Sequence, residues 1–201
     1  MILDLTMPID ARTPVFPGDP QQEIRQIATI EKNGWNEKRL SFNSHFGTHI
    51  DAPYHMLENG KKLTDFPIEW FVGKACVIDV RGQKEIFAPL DNFQDCMMVF
   101  FLTDHIRYVY SPKYFSENPV IGTKMAGELI KHKVKIVGLD SFTPDNAPYD
   151  VHKLLFKHNI RIVENLVNLE KLVGKTFLCH ILPLKIQDAD GAPCRVIATL
   201  D

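Results

Sequence analysis

There is no excess of positive charge. The 201 residues carry 23 Lys and Arg against 25 Asp and Glu, a formal net charge of −2. Without a basic field to hold a phosphate backbone, nucleic acid is not an expected partner. No uncharged apolar run approaches the ~18 residues that a membrane-spanning helix needs, so no membrane partner is expected. The opening Met1-Ile2-Leu3-Asp4-Leu5-Thr6 has neither the basic stretch nor the apolar core of a secretory leader, and a cytoplasmic location is the expectation. Only four cysteines occur, Cys76, Cys96, Cys179 and Cys194. None forms a C-x-x-C pair and all lie in or beside apolar runs, which points to small buried reduced thiols. No G-x-S-x-G elbow is present, and Ser41, Ser44 and Ser141 lack that setting, which argues against a Ser/His/Asp hydrolase.

Internal repeats, low-complexity runs and Ser/Gly linkers are also missing. Residues 1–201 are therefore read as a single domain. Hydrophobic residues make up 45% and charged residues 24%, ordinary for a globular chain of this length. Short apolar runs at 75–80, 97–102, 134–139, 160–163, 177–182 and 195–200 predict buried strands. Helices are expected over 123–132 with a cap at Thr123, over 151–157 with Asp150 as cap and Asn159 at its end, and over 168–173 before Gly174. The 13 prolines and 11 glycines fall between these elements. The fold class is α/β, in the mixed α+β sense, with shaped loops that can carry chemistry.

The densest chemistry lies in Ser41 to Met56, S-F-N-S-H-F-G-T-H-I-D-A-P-Y-H-M. Odd positions carry His45, Gly47, His49, Asp51 and His55; even positions carry Phe42, Phe46, Ile50 and Tyr54. This alternation predicts an extended segment at least as far as Asp51, with imidazoles and a carboxylate on one face and an apolar anchor on the other. Gly47 and Pro53 disfavour a helix. Neutral imidazoles and a carboxylate are the usual ligands of zinc and other first-row divalent ions. A merely solvated polar face is the competing reading. Gly47 fits a close approach of backbone or substrate.

A second constellation follows Asp150. His152 sits at a helix start. Glu164 shares a strand face with Ile160, Ile162 and Leu166, where a carboxylate requires a partner. A metal, an Arg or Lys, or a strand end reaching solvent would each satisfy it. His105, His132, His158 and His180 carry no spacing signal, and His132 and His158 read as solvated.

The run His45-Phe46-Gly47-Thr48-His49-Ile50-Asp51-Ala52-Pro53-Tyr54-His55 resembles the H-x-G-T-H-x-D-x-P-x-H signature of the cyclase-like metal-dependent hydrolases, whose members include bacterial kynurenine formamidases (arylformamidases). The stretches from Asp4 to Pro20, Val137 to Ser141, Val151 to Leu155 and Ile162 to Leu166 resemble the rest of that family. The resemblance implies two divalent metal ions per subunit, zinc first and manganese as the alternative. His45, His49 and Asp51 would hold the first; Asp51 would bridge to a second completed by His152 and Glu164; His55 would act as the acid–base residue. It further implies a swivelling β/β/α-type fold with a mixed sheet or barrel-like core, and a homo-oligomer, a dimer or tetramer.

The expected activity is metal-dependent hydrolysis of an amide C–N bond in a small molecule, N-formylkynurenine giving kynurenine and formate. A cyclic amide or lactone such as isatin is the alternative substrate, and a metal- or ligand-binding protein without turnover the alternative class. Phe16, Phe46, Tyr54 and Trp70 are candidates for a ring pocket. Phe46 and Met56 depart from the residues common in the family and bear on the substrate.

Overall fold

Apolar runs of strand length become the wall of a closed sheet. The computed structural model describes residues 1–93 and 95–200. Its strands are β1 (Ile2–Asp4), β2 (Glu23–Ala28), β3 (Glu37–Ser41), β4 (His49–Asp51), β5 (Val72–Asp79), β6 (Glu85–Ile86), β7 (Met98–Leu102), β8 (Val120–Ile121), β9 (Ile136–Leu139), β10 (Arg161–Glu164), β11 (Thr176–Pro183) and β12 (Gly191–Thr199). The α-helices are α1 (Ile30–Asn33), α2 (Thr123–Lys131) and α3 (Asp150–Lys157). The main sheet runs β1-β12-β11-β5-β7-β9-β10-β4, and β4 also pairs with β12. That second pairing closes the strands from β12 round to β4 into a ring, with β1 laid against β12. Strands β5, β7, β9 and β10 are parallel; the remaining pairings in this sheet are antiparallel. The fold is mixed α/β with a barrel-like core, as expected.

Alternation along each strand divides the apolar residues between two cores. Inside the ring lie Ala75, Val77, Met98, Phe100, Phe177, Cys179, Ile181, Val196 and Ala198. On the outer face of the parallel strands, Val99, Phe101, Val137, Leu139 and Ile162 pack against Met125 and Leu129 of α2 and Val151 and Leu155 of α3. Each fully buried large aliphatic or aromatic side chain contributes about 1.5–3 kcal/mol. Strands covered on both faces are apolar at nearly every position, which is why these runs stand out in the sequence.

Several local expectations are modified. The segment before Asp51 is extended only over β4, because Gly47 turns the chain with a φ of +63°. Helix α2 begins after Gly122 with no side-chain cap, so Thr123 lies inside its first turn. Asp150 likewise lies inside α3; the backbone N–H of Val151 instead donates to Asp145 Oδ2 at 2.7 Å. Asn159 closes that helix in the left-handed region, φ +56°. The third expected helix is a single 3-10 turn, Leu169–Leu172. All four cysteines are buried and free.

Candidate metal centre

Register brings the chemistry together. β4 pairs antiparallel with β10, placing His49 opposite Glu164 and Asp51 opposite Ile162. Ile50 and Val163 point into the ring, so His49, Asp51 and Glu164 share the outer face. Helix α3 lies over that face and carries His152. The chain leaves β4 into a 3-10 turn, Pro53–His55, which delivers His55. His49, Asp51, His152 and Glu164 are all at most 5% exposed.

Nitrogen and oxygen donors converge here. Asp51 Oδ1 lies 2.7 Å from His45 Nδ1 and 3.3 Å from His49 Nε2. Glu164 reaches His49 Nε2 with one oxygen at 3.2 Å and His152 Nε2 with the other at 3.7 Å. His45, His49 and Asp51 form one group of metal-capable donors and Asp51, His152 and Glu164 another, so Asp51 belongs to both.

Neighbouring groups fix the imidazoles. His49 Nδ1–H donates to Gly47 O at 2.9 Å, and the same carbonyl accepts Asn165 Nδ2–H at 2.8 Å. Tyr114 donates its hydroxyl to Asn165 Oδ1, and Thr48 Oγ1 donates to Asn165 O at 2.6 Å. His152 Nδ1–H donates to Asp145 Oδ1, whose other oxygen holds the start of α3. With Nδ1 engaged in both residues, each Nε2 faces the carboxylates. An outer hydrogen bond of this kind is how metal-ligating histidines are oriented.

The donor set fits a cation on physical grounds. His49 Nε2 is buried with no hydrogen-bond partner among the described residues. It faces two carboxylate oxygens. A lone pair held against two buried anions is unfavourable unless a positive charge lies between them. Protons supply that charge without metal. Burial would push the His45 imidazole down, but Asp51 and Asp190 prevail and raise it to about 9. Against the same burial, Asp51 and Glu164 hold His49 well above the ordinary imidazole value, and Asp145 and Glu164 bring His152 to about 9. Burial would raise Asp51, yet His45 and His49 hold it well below the carboxylate range.

A cavity of about 310 Å³ opens over these groups. One wall is aromatic: Phe16 lies 6.1 Å from Phe115 and 6.0 Å from Phe142 between ring centroids, and Phe115 and Phe142 are 4.8 Å apart.

The Cyclase family model, described as "Putative cyclase", matches residues 3–146. The kynurenine formamidase of Bacillus mycoides (strain KBAB4) is 32% identical over 200 residues, covering 97% of this chain and 95% of that protein. The chain belongs to the cyclase family. Among solved structures, one described as a potential metal-dependent hydrolase with cyclase activity is similar to this family member, with a TM-score of 0.80 and 27% identity over 98% of this chain and 96% of that one. Isatin hydrolase A from Labrenzia aggregata shares the fold, with a TM-score of 0.84 and 24% identity over 98% of this chain and 93% of that one.

In this cyclase-family chain the six residues singled out for metal and acid–base chemistry all line one cavity: His45, His49, Asp51, His55, His152 and Glu164. The ring candidates divide. Phe16 lines the cavity and Met56 joins it. Phe46 instead is buried and stacked on Phe42, with centroids 5.0 Å apart, in keeping with the apolar face that the two residues share in the sequence pattern. Tyr54 precedes His55 in a 3-10 turn, where neighbours diverge; it is 41% exposed and meets Lys62 Nζ. Trp70 packs on Phe66 beneath the buried Arg161. Phe115, Phe142, Asn165, Asp145 and Asp190 were not anticipated. Asp190 lies 145 positions from His45, its contact partner, and only sheet closure brings them together.

Proposed function

We propose that this protein is a metal-dependent hydrolase of amide C–N bonds, an arylformamidase that converts N-formylkynurenine and water into kynurenine and formate. The observation that carries this reading is the pair of donor groups meeting at Asp51 on the floor of an aromatic-walled cavity. The names of the curated relatives support it. We read residues 1–201 as one catalytic domain.

In this reading His45, His49 and Asp51 hold one divalent ion, and Asp51, His152 and Glu164 hold a second. Nitrogen and oxygen donors suit zinc, with manganese the alternative. A divalent ion bound there would acidify water and polarise a carbonyl, which is the chemistry amide hydrolysis needs. The protein's own part is orientation and proton movement. Asp145 and the Gly47 carbonyl aim two imidazoles at the carboxylates. Phe16, Phe115 and Phe142 receive the aryl ring. His55, at the cavity edge, takes a proton from the attacking water and returns one to the departing aniline nitrogen as the C–N bond breaks.

A cytoplasmic homo-oligomer, a dimer or tetramer, belongs to the same proposal. Leu178 and Leu182 on the exposed face of β11, with Leu184 just beyond its end, are 45–52% exposed and support association. Among the described residues no helix is long and apolar enough to cross a membrane.

The deciding experiment is hydrolysis of N-formylkynurenine by protein stripped with chelator and reloaded with zinc or manganese. Restored turnover near the ~10⁴ M⁻¹s⁻¹ expected of a true enzyme–substrate pair supports the reading. Stoichiometric metal without turnover on this substrate moves the proposal to cyclic amides and lactones. Failure to retain metal ends it.

A further inference from the structure

Beside His55 stands Asp190, which is not among the residues that line the cavity. Its backbone is fixed where β12 meets β4: Ala52 N donates to Asp190 O at 2.8 Å, and Leu63 N donates to Ala189 O at 2.9 Å. Lys62 Nζ holds the neighbouring Asp188 at 2.5 Å. One oxygen of Asp190, Oδ2, lies 2.8 Å from His45 Nε2 and 3.4 Å from His55 Nδ1. The two rings lie with centroids 4.0 Å apart. Gly191 makes this approach possible, since a Cβ there would stand 2.8 Å from His45 Cε1.

We propose that Asp190 is a positioning residue that takes the Nδ1–H of His55 and the Nε2–H of His45 on one oxygen, locking the His55 tautomer with Nε2 unprotonated and available to the cavity. A neutral imidazole carries one proton, and a carboxylate facing one nitrogen decides which nitrogen keeps it. The 3.4 Å contact lies at the long end of the hydrogen-bond range. Because the same oxygen holds His45, the aim of the acid–base imidazole is tied to that of a metal-facing one. No lysine or arginine is paired with Asp190 among the described residues; its ion-pair partners are these two histidines, with the Ser44 side chain as a further neighbour that bonds to it. The inference rests on the arylformamidase reading for its kinetics but not for its geometry.

The test uses zinc-loaded full-length protein with ¹⁵N-labelled histidine, the His55 signal being assigned from His55→Gln. The wild type should show His55 protonated at Nδ1, and Asp190→Asn should shift the proton to Nε2. On N-formylkynurenine, Asp190→Asn should lose roughly 10–100-fold in kcat, the range for residues that orient a site. KM and zinc stoichiometry should stay near wild type. In a His55→Ala background the same substitution should cost much less than it does in the wild type, the remainder being its hold on His45. Asp190→Ser serves if the asparagine variant does not fold. An unchanged His55 tautomer overturns the inference. So does full additivity with His55→Ala, or an extra metal ion in the wild type that Asp190→Asn loses, since that would make the three side chains a cation site. A tautomer shift in protein inactive on N-formylkynurenine leaves this inference standing and removes the substrate assignment.

Discussion

Among the described residues His55 lies outside the two donor groups that meet at Asp51 and shares a third with His45 and Asp190, so metal content and turnover must be read together when it is removed. His55→Ala is expected to retain metal while losing most turnover, read by metal analysis beside kcat; an unchanged kcat removes His55 from the mechanism. Asp51→Ala should lose both metal and activity, because both groups use that carboxylate. The six residues that meet in the cavity were singled out in the sequence. Four fall within eleven positions, where local spacing alone draws notice. Glu164 betrays itself by sharing a strand face with Ile162. Asp145, Asn165 and Asp190 were not legible, because their roles are hydrogen bonds to residues distant in sequence and nothing in their own neighbourhoods marks them. Phe46 and Tyr54 were candidates only through their nearness to the motif: Phe46 belongs to the apolar face that alternation assigns to the core, and Tyr54 follows Pro53, beyond the end of the strand.

Elements fix where these side chains point. Gly191 opens β12 against His45, and an alanine there would also stand 2.9 Å from Ile50 O. Gly191→Ala is therefore expected to displace the His45 ring and weaken metal retention, measured by competition with a chelator; wild-type affinity would show that the loop yields instead. At the far end of β10, Arg161 is fully buried. Its guanidinium lies 4.6 Å from the centroid of Phe66, 5.1 Å from Trp70 and 5.3 Å from Phe71, and donates to Lys135 O at 3.0 Å. Truncation to alanine leaves a hole beneath three rings. Arg161 Nε and Nη1 have no hydrogen-bond partner among the described residues, so losing the buried charge offsets part of the lost packing. In denaturant unfolding the variant should lose less than the about 2–5 kcal/mol of an apolar large-to-small change, with metal stoichiometry unchanged. The six buried strands were legible because helices or the ring interior cover both of their faces or alternate ones. Helix boundaries were less so: Asp145, five positions before α3 begins, does the capping expected of Asp150.

At the scale of the molecule, the site is a concentration of charge inside the fold. The folded values near 9 for His45 and His152 exceed an unfolded value of about 6.5. The stability they contribute to metal-free protein is fully present below about pH 6.5 and is lost as pH rises through about 9. Metal-free protein should therefore melt at a lower temperature at pH 9 than at pH 6.5. Zinc-loaded protein should not show this loss, because a metal takes the place of the protons. A flat profile for the metal-free form would contradict the arrangement. The order of strands in the sheet was not legible in the sequence, since pairing between β4 and β12 depends on contacts across most of the chain; the family resemblance supplied the barrel-like expectation.

That pairing has a consequence for how the protein is made. A ribosome releases His45, His49 and Asp51 early and β12 late, yet β12 closes the ring and brings Asp190 to His45. Until residues 191–193 pair with β4, His45, His49 and Asp51 lack the strand that completes their wall, and metal loading is expected to follow closure of the ring. Nascent chains stalled before Gly191 should bind no zinc, whereas chains released beyond Thr199 should bind it at once.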